Sequence, residues 1–136
     1  TNTPPPPPPP PPKDDGDMDS NELQLFNKIN NARADNGCAP LKRSTSLTRS
    51  SEAEAKQRAA DDTLDDGNTS SKAAAGGDNW SADRAFDRMM SQNKPTLLNC
   101  GLTTMSVGRG TATYERCTLF LICSDRTRVG WVATFR

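Results

Sequence analysis

Not one of the 136 residues of this chain is a histidine. Histidine is the side chain most often used as a general base near neutral pH and as a ligand to transition metals. A Ser-His-Asp triad, a Cys-His pair and any zinc site built on imidazole are therefore excluded. A charge excess is missing too: seventeen Lys and Arg balance seventeen Asp and Glu, and the cations are scattered among acids. A dedicated polyanion binder needs a basic excess or stripe to neutralise phosphates, so nucleic acid is not expected as a partner. Long apolar runs are absent as well. The longest covers residues 119–122, against the roughly 20 residues of a spanning helix, so no transmembrane segment is expected. Carboxylates, hydroxyls, thiols or binding alone must supply the function.

What is present points to one small domain. The hydrophobic fraction is 32% and the mean hydropathy −0.79, so the core is small and not all of the chain is expected to fold. Four cysteines, an even count in a polar domain with a weak core, indicate bridges formed in an oxidising compartment. The expected location is therefore secreted or associated with the cell envelope. No CxxC-like pair occurs, which argues against a zinc site. The start at Thr1, with neither a methionine nor an apolar leader, fits a mature exported product as well as a trimmed chain. A monomer without a cofactor is expected.

Residues 1–19 read as a stalk and residues 20–136 as the folded domain. The prolines at positions 4–12 form an extended polyproline II spacer of about 3 Å per residue. Asp15, Asp17 and Asp19 alternate like the start of a calcium loop. Ser20 stands where its turn glycine belongs and Phe26 where its bidentate glutamate belongs, so the acids are a solvated flank.

Asp19 or Ser20 opens a first helix, and Asp19 with Glu22 has capping-box spacing. Leu23, Leu25, Phe26, Ile29 and Ala32 recur three and four apart, and Asn36-Gly37 supplies a left-handed stop. A second helix, capped within residues 44–46, runs from Leu47 to about Leu64. Along it Leu47, Ser51, Ala55 and Ala59 form a small-residue face suited to close packing. Asp61-Asp62 and Asp65-Asp66 read as a charged helix end. Residues 67–77 read as loop. Ser81 caps a third helix to about Ser91, with Ala82, Ala85, Phe86, Met89 and Met90 inward, and Lys94-Pro95 opposes its continuation. The runs 105–107, 117–122 and 129–135 read as strands separated by Gly108-Arg109-Gly110 and Ser124-Asp125-Arg126. Helices followed by strands predict an α+β domain.

Several segments in order carry a resemblance: Asn31-Ala32-Arg33-Ala34-Asp35-Asn36-Gly37-Cys38-Ala39-Pro40-Leu41, then Gly77-Asp78-Asn79-Trp80, Leu97-Leu98-Asn99-Cys100, Thr104-Met105-Ser106-Val107-Gly108 and Trp131-Val132-Ala133-Thr134-Phe135. Their order resembles the CAP superfamily, which groups cysteine-rich secretory proteins, antigen 5 and plant pathogenesis-related class 1 proteins. The bacterial secreted branch is the most similar. There an Asn-x-x-Arg helix, Gly-Glu-Asn, Leu-Asn, Ile-Gly-Val-Gly and Trp-Thr-Gln-Val-Phe follow one another. The resemblance spans residues 20–136 and implies an α-β-α sandwich around a small antiparallel sheet, together with secretion.

Departures from that pattern concern the cleft that relatives commonly line with two histidines and two acids. The family's glutamate is Asp78 here, one histidine position falls on Asn93, the other falls in residues 67–75, and the second acid falls near Ser91. The resemblance thus implies a fold retained without its metal-binding imidazoles. It also implies a Cys38–Cys100 bridge, a closure of about 60 residues worth roughly 4 kcal/mol in the chain-entropy model. Cys117 and Cys123 then remain for each other. On one straight strand they would lie about 20 Å apart, far beyond bridging distance. Either residues 118–122 curl, or the pairs are Cys100–Cys123 and Cys38–Cys117.

Three functions follow for testing. The first is a secreted, non-enzymatic binding protein for a lipid or a partner protein, with Asp78, Trp80, Ser91 and Asn93 as cleft candidates. The second is a structural envelope component on its stalk. The third is a hydrolase using Asp78, Glu115 or Ser91 without histidine. Trp131, in the terminal strand, reads as core, whereas Trp80 fits either the core or the floor of a cleft.

Overall fold

The computed structural model describes residues 18–119 and 121–136. The polyproline run falls outside them. Met18 already belongs to the folded body, being 3% exposed and packed in the core. Three helices and three strands follow: α1 (Ser20–Asp35), α2 (Thr45–Asp61), β1 (Lys72–Asp78), α3 (Ala82–Leu97), β2 (Met105–Cys117) and β3 (Cys123–Phe135). The strands form one antiparallel sheet in the order β1-β3-β2. Helix α2 covers one face and α1 with α3 the other, which is the α+β, α-β-α sandwich expected.

Alternation along β3 explains the layers, since successive side chains of a strand point to opposite faces. Val129, Trp131, Ala133 and Phe135 join Leu25, Phe26 and Ile29 of α1 and Ala85 and Met89 of α3 in the main core. Val132, from the other face, meets Ala55 and Ala74 under α2. That second layer is thin because α2 presents Ser51, Ala55 and Ala59, all buried, to the sheet. Strand β2 answers with glycine. A Cβ on Gly108 would land on the backbone nitrogen of Glu52, and one on Gly110 on that of Lys56. Close packing of helix on sheet, anticipated from the small-residue face, thus needs small residues from both partners.

The helix boundaries follow their local signals. Asp19 and Glu22 form the full capping box, and the chain leaves α1 at Asn36 and a left-handed Gly37. Ser44 and Ser81 accept from Leu47 and Arg84 N–H groups to cap α2 and α3. Helix α2 stops at a left-handed Asp62, before the expected Leu64. Helix α3 continues past the expected Ser91. Asn93 leaves helical geometry (φ −142°, ψ 37°) and the chain resumes a turn to Leu97. The kink at Asn93 places Pro95 in the opening turn of that second piece, where its missing N–H costs no helical bond.

Two expectations about strands are corrected. Residues 72–77, within the stretch 67–77 read as loop, belong to β1, which pairs from Lys72↔Thr134 to Asp78↔Arg128. Alanine and glycine have little strand preference of their own, but the narrow space between two helical layers admits only such residues, and pairing with β3 decides. The three short strand runs are two strands of 13 residues each. Gly108-Arg109-Gly110 lies inside β2 and Ser124-Asp125-Arg126 inside β3, while Thr118 and Ile122 close the turn between them. Thr118 N–H donates to Ile122 O at 2.9 Å and Leu121 N–H to Thr118 O at 3.0 Å. That curl sets Cys117 opposite Cys123. The bridges are Cys38–Cys100 and Cys117–Cys123, with Cα separations of 4.9 and 4.0 Å.

Candidate functional site

The end of β1 carries Asp78, the first of the four cleft candidates. Asp78 pairs with Arg128, which lies on the α2 side of the sheet together with Val132. Its two carboxylate oxygens lie 2.7 and 2.6 Å from the Tyr114 hydroxyl, which donates to them. That bond holds the phenol above its ordinary pKa, because a phenolate there would face a carboxylate; burial adds to the shift, while Arg128 and Arg116 oppose it. The Arg128 guanidinium stacks 4.2 Å from the Tyr114 ring centroid, donates to Ala59 O at 2.8 Å and meets Asp62 at 3.2 Å. This network ties the end of α2 to the sheet.

Trp80 belongs to the opposite face. A left-handed Asn79, whose N–H donates to Thr127 O at 2.9 Å, turns the chain sharply after Asp78. The indole folds back over Gly77, where a Cβ would collide with it. Trp80 O accepts from Trp131 Nε1 at 3.1 Å, and Arg84 lies 4.9 Å above the Trp80 ring. Trp131 is buried, 2% exposed. Trp80 is half-buried: one side of it packs on the core, and the other lines an open depression of about 290 Å³ with Arg84, Asp87, Arg88 and Ser91.

Of the four cleft candidates, then, Trp80 and Ser91 share a surface, and Asp78 and Asn93 are elsewhere. Ser91 Oγ donates to Arg88 O at 2.9 Å within its own helix. Asn93 Nδ2 donates to Lys72 O at 2.7 Å and Thr69 O at 3.0 Å, pinning the α3 kink to the approach to β1. Glu115, proposed as a hydrolytic acid, is exposed on the far arm of the β2–β3 hairpin. It lies within 4.8 Å of Cys117 and Cys123, but the bridge leaves those sulfurs no thiolate to offer a metal.

Among the described residues two charged side chains, Glu22 and Arg33, are fully buried, and neither burial was legible in the sequence. Glu22 Oε1 accepts from Asp19 N–H at 2.9 Å and Oε2 from Arg109 N–H at 2.7 Å. Its pKa is raised to about 7, chiefly because burial penalises the carboxylate, although both N–H groups favour it. Arg33 Nη1 donates to Leu97 O at 3.0 Å and Asn99 O at 2.8 Å. Asn30, three residues earlier, brackets the Leu41 backbone by donating to its O at 3.3 Å and accepting from its N–H at 2.9 Å. The Asn-x-x-Arg pattern was the available signal. Its work here is positional, holding the segments on either side of the Cys38–Cys100 bridge.

No helix among the described residues is long and apolar enough to cross a membrane. A model of the CAP family, described as the cysteine-rich secretory protein family, matches residues 26–123, more than half of the chain. No curated protein and no solved structure matches it. The three-layer fold, the two bridges and this match agree, and the chain belongs to the CAP family of cysteine-rich secretory proteins.

Proposed function

We propose that this chain is a secreted, non-enzymatic binding protein that keeps the CAP fold without a histidine metal cleft, its ligand being a lipid or a partner protein. One observation carries the reading: Asp78 and Asn93, two of the four cleft candidates, are engaged by the chain itself. Both Asp78 oxygens meet the Tyr114 hydroxyl, and the Asn93 amide donates to two backbone carbonyls. With no imidazole in the chain, a divalent transition metal would have to displace the Tyr114 hydrogen bond to gain a single carboxylate, which is too few donors for a tight site. The hydrolase alternative has less support, since the Ser91 hydroxyl is spent on its own helix. Two bridges and a family of secretory proteins fit an extracellular or envelope location. The motif order supports the bacterial secreted branch, with Asp78 and Asn93 marking a divergent member. The depression beside Trp80, with Arg84, Asp87, Arg88 and Ser91, is the surface this reading assigns to the ligand.

Calorimetric titration with zinc tests the metal-free reading. The expected outcome is no saturable binding below micromolar concentration. Stoichiometric sub-micromolar binding that disappears in Asp78→Asn would overturn it.

A further inference from the structure

The β2–β3 hairpin runs out of the sandwich and ends in an apolar tip. Leu119 is 99% exposed, Leu121 86% and Ile122 67%. The last buried residues on the two arms are Gly110 and Val129. Seven residues of strand beyond Gly110 carry Cys117, at the base of the tip, about 20 Å outward at some 3.3 Å per residue. Three large aliphatic side chains held in water at the end of such an arm bury nothing of the protein's own.

The arms are two-faced. Side chains opposite one another in an antiparallel pair share a face, so the pairs Ala112↔Arg128, Tyr114↔Arg126 and Arg116↔Ser124 place Tyr114, Arg116, Arg126 and Arg128 together. The pairs Glu115↔Asp125 and Cys117↔Cys123 place both acids and the bridge on the other side. One face is thus cationic and the other anionic, although the arms carry no large net charge. Arg116 and Arg126 are exposed, and neither is held in an ion pair among the described residues.

We propose that this hairpin docks on an anionic phospholipid bilayer, with Leu119, Leu121 and Ile122 inserted below the headgroups and Arg116 and Arg126 against the lipid phosphates. Residues 119–122, Leu-Phe-Leu-Ile in sequence, are an uncharged apolar run flanked by arginine on both arms, and that combination suits an apolar interior lying beneath a layer of anionic headgroups. Guanidinium groups within a few residues of the inserted tip lie at headgroup depth, where anionic lipids attract them. The acidic face turns outward when the basic face turns down, which fixes the tilt of the arm. The Cys117–Cys123 bridge closes the tip in advance, so little chain ordering accompanies insertion. The proposal rests on the reading of the chain as a non-enzymatic binding protein and adds bilayer lipid at a surface separate from the depression beside Trp80; the zinc titration tests the metal-free part of that reading independently of the outcome here.

Co-sedimentation of the full chain with vesicles of phosphatidylcholine containing 30% phosphatidylglycerol (about one lipid in three, enough for an anionic surface), against pure phosphatidylcholine, tests it. Partition onto the anionic vesicles is expected. It should fall at least about tenfold in Leu119→Ser/Leu121→Ser and several-fold in Arg116→Gln/Arg126→Gln, and weaken with salt. Because these side chains are exposed, circular dichroism and the thermal midpoint should stay unchanged. No partition by the wild type, equal partition onto the uncharged vesicles, or full partition by the serine variant would each overturn the proposal. A dimer in sedimentation velocity that the serine variant abolishes, with no vesicle binding, would overturn it in favour of a second copy of the chain.

Discussion

Glu22 has capping-box spacing that can be read directly from the sequence, but its burial depends on Arg109, 87 residues away, whose N–H reaches Oε2. The consequence is a pH dependence of definite sign. The folded state holds the Glu22 proton up to about pH 7, whereas the unfolded chain releases it near 4.5. Between those values the folded state binds more protons, so stability falls as pH rises through the window. Asp19 and Glu52 add to the effect. Urea denaturation of the wild type at pH 5 and pH 7.5 should show a loss on the order of 2 kcal/mol at the higher value, and Glu22→Gln should flatten the difference. Tyr114 allows a second prediction, because it is the chain's single tyrosine. Its ultraviolet titration should give a pKa above the ordinary phenol value, and Asp78→Asn should lower it toward that value by removing the carboxylate on which the shift depends. Asp78 itself could be singled out from the Gly77-Asp78-Asn79 segment. Its partner was not, since Tyr114 reaches it only through the strand order β1-β3-β2.

Elements were legible where local signals sufficed. Caps at Asp19, Ser44 and Ser81 and the left-handed Gly37 are short-range chemistry, and the helices begin and stop close to them. Strand β1 was illegible because Ala73, Ala74 and Ala75 carry no strand preference; they pair because β3 and the helical layers leave no other place for them. Gly110 shows the same dependence, since it ends an element by local rules and lies inside one by tertiary packing. Gly110→Val should destabilise the fold by about 3 kcal/mol, because its side chain would overlap the α2 backbone at Lys56. Denaturant unfolding would measure this, with exposed Gly101→Ala as a milder control. The two bridges should also differ. Removing Cys38–Cys100, with its sequence separation of 62, should cost about 4 kcal/mol. Removing Cys117–Cys123, which closes a short loop on exposed arms, should cost about 2 kcal/mol or less. Paired serine variants in urea would show that order.

For the whole molecule, the family match covers residues 26–123. The sandwich places the two charged surfaces of interest far apart in role: a depression along α3 beside Trp80, and the hairpin with its apolar tip. Composition and periodicity by themselves determined the absence of imidazole chemistry, the helices and their caps, the α+β class and, through motif order, the family. Those properties depend on residue identity and on neighbours three or four positions away. Tertiary structure alone decided that alanines and glycines form β1, that Tyr114 occupies Asp78, that Glu22 is buried, and that the chain reverses after Thr118 to bring Cys117 opposite Cys123. Each of these depends on contacts between residues that are distant in sequence or on chain reversal, and such contacts form only when the sheet pairs and the helices close over it.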